Sequence, residues 1–95
     1  MRRPWVVLSA VVLSLGMAAG CATTAALDNA RASLTRAKAA GAESKAPYEY
    51  YTAEAYLKKA DIQAAKGDLK ATRAYTKDSL DYSAKAIQLS GGGAK

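Results

Sequence analysis

Along this 95-residue chain the apolar positions change their rhythm once, near residue 20. Before that point Trp5 to Gly20 is an apolar run broken only by Ser9 and Ser14. Beyond it the apolar positions recur every three or four residues, the spacing of one face of an α-helix. Leu27, Ala30, Leu34 and Ala37 form a first narrow seam, with Asp28, Arg31, Arg36 and Lys38 off it. Gly41 follows, where a helix is commonly ended by a residue in the left-handed conformation. A second periodic segment opens at Pro47, whose missing N–H has no helical partner in a first turn, and Glu49 lies near the positive end of the helix dipole. This segment carries two stripes, Tyr50-Ala53-Leu57-Ala60-Ala64 and Tyr48-Tyr51-Ala55-Ile62, separated on one side by Glu54, Lys58 and Asp61. Two stripes predict a middle helix buried on two faces, and Glu54 with Lys58 makes a favourable i, i+4 pair on it. Lys66-Gly67-Asp68-Leu69 predicts a tight turn, with Gly67 left-handed and Asp68 capping the next helix. In that last helix Leu69, Thr72, Thr76, Leu80, Ser83 and Ile87 share a face, flanked by Tyr75, Tyr82 and Ala86. Lys70, Arg73, Lys77, Asp78, Asp81, Lys85 and Gln88 occupy the opposite arc. Ser90 to Lys95 is a glycine-rich tail expected to be flexible.

The fold class predicted from this pattern is all-α. No valine and no strand-like alternation occur after Cys21, so nothing argues for a sheet. Helices are expected over about 24–40, 47–66 and 68–89, behind an N-terminal signal helix. A break as short as that at Gly67 joins antiparallel neighbours. Two arrangements fit: an antiparallel hairpin of the last two helices with a looser first one, or a small up-down-up three-helix bundle. The division into parts is then a cleaved signal over 1–20, an alanine-rich helical domain over 21–90 and the tail over 91–95.

The N-terminal segment acquires meaning from its flanks. Met1-Arg2-Arg3-Pro4 is basic, the run after it is apolar, and Met17-Ala18-Ala19-Gly20 brings small residues up to the only cysteine, Cys21. Basic, apolar, small is the order of a secretory signal. The apolar run is shorter than the roughly 20 residues a membrane-spanning helix needs. A lone cysteine in an exported chain has no intramolecular disulfide partner. Ala18-Ala19-Gly20-Cys21 resembles the lipobox of bacterial lipoproteins, with Ala18 where that family prefers leucine. The resemblance implies cleavage before Cys21 and acylation of it (palmitate or a similar chain). Each buried methylene contributes about 0.8 kcal/mol, so several chains hold a protein on a membrane firmly. Ala22, in place of an aspartate after the cysteine, resembles members sorted to the outer membrane and facing the periplasm.

Cleavage there would remove 20 residues and leave 75 of the 95, and with Arg2 and Arg3 gone the formal charge would fall from +6 to +4. Every valine, both methionines and the only tryptophan would go with it. The large aliphatics left are Leu27, Leu34, Leu57, Ile62, Leu69, Leu80, Ile87 and Leu89. So thin a core leads one to expect support from a partner, from self-association or from the membrane surface. A second resemblance lies in the run Arg36-Ala37-Lys38-Ala39-Ala40-Gly41-Ala42, then Ala46-Pro47, then Ala53-Glu54-Ala55-Tyr56-Leu57-Lys58-Lys59-Ala60, then Gly67-Asp68 and Ala71. These elements, spread over most of Leu27 to Leu89, resemble a family of short envelope lipoproteins whose shared helical domain has no established function. The Gly67-Asp68 turn is also similar to one tetratricopeptide hairpin, but a single hairpin is not a repeat array.

Little chemistry is on offer. The chain has no histidine and one thiol, which leaves no Cys/His catalysis and no common zinc site. Asp78 and Asp81 stand at i, i+3 beside Lys77 and Lys85, too few ligands for calcium. Gly91-Gly92-Gly93 lacks the strand, helix and lysine that make a phosphate loop. Neither an enzyme nor a cofactor or metal site is expected. The lysines are spread among acids, not clustered as a nucleic-acid binder needs; weak attraction to anionic envelope surfaces fits better.

The tyrosines carry more information. Tyr48, Tyr50 and Tyr51 cluster at the start of the second helix with Tyr56 beyond, and successive helix positions point about 100° apart. All three cannot face one core. Two rings are expected inside the domain and the third on an interface, a role tyrosine favours. The leading expectation is a lipid-anchored, non-enzymatic interaction module docking on another envelope protein or on itself. The alternative is a tether from the outer membrane to peptidoglycan through Lys95. The murein lipoprotein is likewise short, helical and lipid-anchored, and its C-terminal lysine is joined to the wall. That family forms one long heptad coiled coil, whereas this chain is broken at Gly41 and Gly67.

Overall fold

The computed structural model describes the backbone of residues 4–91 and the side chains of residues 21–91. It is all-helical: α1 spans Pro4–Ala39, α2 Ala42–Lys45, α3 Pro47–Ala65 and α4 Leu69–Leu89. Among the described residues there is no strand. The breaks fall where the local signals put them. Gly41 has φ +84°, and its carbonyl accepts from the N–H groups of Ser44 and Lys45 at 3.2 and 3.0 Å. One glycine therefore ends α1 and begins α2, a single turn where the sequence pattern indicated only a connection. Pro47 stands in the first turn of α3. Gly67 takes φ +79° with open space where a Cβ would stand, so it is the backbone conformation that requires glycine there. Asp68 accepts from the Ala71 N–H at 3.0 Å and caps α4.

The packing departs from expectation in the kind of residue that lies inside. α3 and α4 share the most extensive interface, and α1 packs more on α4 than on α3. Along α3 and α4, Ser79 meets Ala53, Tyr75 meets Tyr56 and Tyr82 meets Tyr48. Residue numbers fall on one helix as they rise on the other. One core cluster joins Leu27 and Ala30 of α1 to Leu57 and Ala60 of α3. The other joins Ala37, Ala42, Ala46, Tyr50 and Ala86. The seam of α1 is as expected, with Leu27, Ala30 and Ala37 buried and Leu34 half-buried.

From α4, however, the buried residues are Thr72, Thr76, Ser79, Ser83 and Ala86. Leu80 and Ile87 are half-buried and Leu69 is 37% exposed, although the pattern had made these three central. Side chains this small let helix surfaces approach closely, and the larger residues are displaced to the margins of the contact. The hydroxyls at the centre are mostly satisfied from within. Thr72 donates to the Asp68 carbonyl at 2.7 Å, Thr76 to the Thr72 carbonyl at 2.6 Å, and Ser79 to the Ala53 carbonyl of α3 at 2.8 Å. Ser83 Oγ is buried without a hydrogen-bond partner among the described residues.

A second correction concerns α3. Its first stripe is buried at Tyr50, Ala53, Leu57 and Ala60. The second is not: Tyr48, Tyr51, Ala55 and Ile62 are all exposed. α3 has one buried face, because α1 lies chiefly against α4 and no described helix covers the far side. Around the packed region the ion pairs are solvated. Arg31 reaches both Asp28 and, on α3, Asp61; Lys38 reaches Glu43 and Lys58 reaches Glu54. Exposed pairs of this kind contribute about 0–1 kcal/mol each.

Two substitutions test this account of the core. Ser83→Ala removes a buried hydroxyl that has no partner and should stabilise the domain by about 1 kcal/mol. Ala60→Leu forces volume into the close-packed seam and should destabilise it by about 1–3 kcal/mol. Urea unfolding midpoints read both; a stabilising Ala60→Leu would mean the seam has slack.

Candidate functional site

Among the described residues, the outer face of α3 gathers large, partly apolar side chains on one side of one helix. Its construction begins at Pro47, which starts the helix and sets the directions of the next four residues. Tyr50 turns inward and is 5% exposed, among Ala37, Ala42, Ala46 and Ala86. Tyr48 and Tyr51 turn outward, 66% and 50% exposed, and Ile62 shares their face at 53%. One ring is inside and two are outside, the reverse of the division expected from sequence, because this side of α3 has no helix against it.

The outward rings are nevertheless held. Tyr48 stands edge-on to Tyr82 of α4, centroids 6.2 Å apart. Tyr82 stacks on Tyr56 at 5.9 Å with planes 16° apart, and Tyr56 stacks on Tyr75 at 6.0 Å. Tyr75 and Tyr82 lie two turns apart on α4, so Tyr56 sits between them. Lys59 Nζ lies 5.4 Å from the Tyr56 centroid and 5.7 Å from that of Tyr75, within cation–π range. Tyr51 stands edge-on to the buried Tyr50 at 5.1 Å. Each such ring pair adds about 0.5–1.5 kcal/mol beyond the area it buries. The result is a four-ring ladder, Tyr48-Tyr82-Tyr56-Tyr75, that ties α3 to α4 along an outer edge. Sequence reasoning singled out Tyr56 but missed Tyr75, Tyr82 and Lys59. The seven-residue spacing of Tyr75 and Tyr82 on α4 was the available signal.

Beside the ladder runs an open groove of about 530 Å³, lined by Pro47, Tyr48, Tyr51, Thr52, Ala55, Tyr56 and Lys59. Ala55 forms the floor between larger neighbours. The surroundings shift two phenols. Burial pushes Tyr50 above the ordinary tyrosine range, with Glu43 and Glu54 adding to it. Tyr82 is pushed up chiefly by the neighbouring Tyr48, through its charge when ionised. These groups offer stacking surfaces, hydroxyls and one ammonium, which suits recognition.

The remaining candidates lie apart from this face. Cys21 is exposed on α1. Lys95 and the glycines before it lie outside the described residues. Asp78 and Asp81 are not joined by a third ligand: among the described residues no group of three or more His, Cys, Asp or Glu side chains converges. Asp81 instead accepts from Lys77 at 3.0 Å, which raises the Lys77 pKa. Among the described residues no helix is long and apolar enough to cross a membrane.

The raised phenols carry a pH signature. The folded state favours the neutral form of Tyr50 and Tyr82, so their contribution is complete below the unfolded tyrosine value of about 10 and is lost as pH rises through the folded values. Phenolate absorbance should show Tyr50 and Tyr82 titrating above the ordinary tyrosine range, and Tyr50→Phe should remove one of these late contributions. Urea midpoints should fall above about pH 10, less steeply in Tyr50→Phe.

No family model, no curated protein and no solved structure matches this chain.

Proposed function

We propose that this chain is the precursor of a bacterial lipoprotein, cleaved before Cys21 and acylated there, held on the outer membrane and facing the periplasm. Its helical domain is a non-enzymatic adaptor that docks through the tyrosine face of α3. One observation carries the docking reading. A chain short of large apolar side chains fills its interior with alanine, serine and threonine and leaves Tyr48, Tyr51 and Ile62 at least half exposed on one side of one helix. Exposed aromatic and aliphatic groups collected on one face mark interaction surfaces. The order of basic, apolar and small residues before an exposed Cys21 supports the anchor.

In this proposal residues 21–39 of α1, with α3 and α4, form an up-down-up three-helix bundle. The clustering of Ala37 with Ala86, and of Leu27 with Ala60, supports that order. Cys21 is then level with the turn at Gly67, and the start of α3 is at the other end. Cys21 to Ala39 is 19 residues, and their 18 steps make that separation about 27 Å at 1.5 Å per residue. The tyrosines of the docking face would stand toward the end away from the lipid, with Ile62 nearer to it.

Two variants separate the anchor from the dock. Cys21→Ser should move the protein from the membrane to the soluble fraction. Tyr48→Ala with Tyr51→Ala gives up two ring pairs, about 1–3 kcal/mol together, and should abolish its cross-linked species in intact cells while helical circular dichroism is retained. Unchanged cross-links would sink the docking proposal.

The end of α4 favours a second reading. Ala86 packs beside Ala37, so α4 ends on the side of the domain away from Cys21, which suits a tether through Lys95. A tether predicts a muropeptide on Lys95 in boiled, muramidase-digested sacculi. Sacculi free of the protein would dispose of it.

A further inference from the structure

We propose that the exposed face of α3 is a self-complementary helix dock whose occupant is a second copy of this chain, its α3 running antiparallel, with Ile62 of each copy seated among the tyrosines of the other. The proposal rests on the docking reading above and names the partner.

The shape of the groove selects a helix. Tyr48, Tyr51, Thr52 and Ala55 stand at i, i+3, i+4 and i+7, and Thr52, Ala55, Tyr56 and Lys59 repeat that pattern one step on. Four residues so spaced form the hole that receives one side chain of a facing helix, and two successive holes are the unit of knobs-into-holes packing. A knob is also present. Ile62 lies seven residues beyond Ala55 on the same face and is 53% exposed. The other exposed aliphatics, Leu69 and Leu89, belong to α4 or its end. Hole and knob therefore sit on one helix, about two turns apart, which lets a two-fold axis use each twice.

Charge fixes the direction. In a parallel pair, the two flanks of the face are exchanged across the axis and Lys58 of each copy would stand beside Lys59 of the other. In the antiparallel pair, with Ile62 over the hole bounded by Tyr51 and Thr52, Lys58 of each copy comes beside Glu54 of the other. Both charges flank the same side of the face, where they already lie 3.9 Å apart within one chain. The two-fold turns two local pairs into a cluster of four alternating charges.

The contact is small. α3 has 19 residues and is about 28 Å long, and one helix face falls short of the roughly 800 Å² per partner of a standard interface. Confinement to a membrane by lipid raises the effective concentration. Because Cys21 of each copy is level with its own Gly67, the antiparallel pair sets the two anchors at opposite ends, and both enter one membrane when the pair lies along its surface; the test is made on anchored protein.

Full-length Tyr51→Cys and Ile62→Cys chains, differently tagged, would be co-expressed and the intact cells oxidised. The positions changed are exposed, and unchanged helical circular dichroism would confirm folding. The mixed pair should cross-link at least about tenfold more than either variant alone, because a disulfide forms only across a short Cα separation. Lys58→Glu should lower that yield, and adding Glu54→Lys should restore it. Preferential cross-linking of Ile62→Cys to itself would overturn the antiparallel register. If no combination links two copies while the Tyr48→Ala, Tyr51→Ala chain still loses its cellular cross-links, the second copy is overturned and the docking reading stands. Absence of any disulfide between copies, together with unchanged cellular cross-links in the Tyr48→Ala, Tyr51→Ala chain, would overturn both.

Discussion

Ser79 donates its hydroxyl to the carbonyl oxygen of Ala53, a backbone atom of the neighbouring helix. A serine side chain is short, so this bond can exist only where two helix surfaces nearly touch. The residues around it make such an approach feasible: Ala53 and Ala60 on α3, Thr72, Thr76 and Ser83 on α4, Ala30 and Ala37 on α1. Replacing Ala53 or one of the small residues of α4 beside it with something larger would push α3 and α4 apart and break the bond. The interior is thus stabilised by close contact and internal hydrogen bonding where a leucine core would rely on area removed from water. Threonine serves this well, since its hydroxyl is satisfied by the carbonyl one turn back and its methyl is left to pack.

Close approach has a geometric corollary. When the centre of an interface accepts only small groups, the long side chains of the same helices are carried to its edges. On one edge this produces the half-buried Leu80 and Ile87 beside α1; on the other it produces the tyrosine ladder. The ladder compensates for what the core lacks, because stacked rings add contact between α3 and α4 without entering the seam. It also stiffens the surface that lies next to it. Tyr48 is exposed yet held against Tyr82, and Tyr51 is exposed yet held against Tyr50. A partner meeting such rings has less side-chain entropy to remove than with free ones.

How much of this could be read from the chain divides by the range of the physics involved. Gly41, Gly67, Asp68 and Pro47 act through their own backbone or the next turn, and each stands where its chemistry predicts. The stripe Leu27-Ala30-Leu34-Ala37 was legible because its apolar side is unambiguous. The face of α4 was legible in part: Thr72, Thr76 and Ser83 lie inside as their spacing put them, but Ser79 was left off that face, and periodicity does not say that small residues take its centre while Leu69, Leu80 and Ile87 stand at its margins. The second stripe of α3 was seen but given the wrong surroundings, since a period of 3.6 reports that residues share a face and is silent on what covers it. The Tyr56 contacts with Tyr75 and Tyr82 depend on the register between two helices, which no single-helix pattern contains. Cys21 is legible only as the end of an ordered series of residue types.

The ladder also gives the molecule an optical character. Phenol rings stacked at about 6 Å couple their electronic transitions, and that coupling depends steeply on distance and angle. The only tryptophan, Trp5, lies ahead of Cys21; a chain beginning at Cys21 would have near-ultraviolet dichroism and emission belonging to tyrosine alone. A slip of one residue between α3 and α4 would part Tyr56 from its neighbours while leaving helix content untouched. The protein thus carries its own gauge of helix register, readable by light and without any added label.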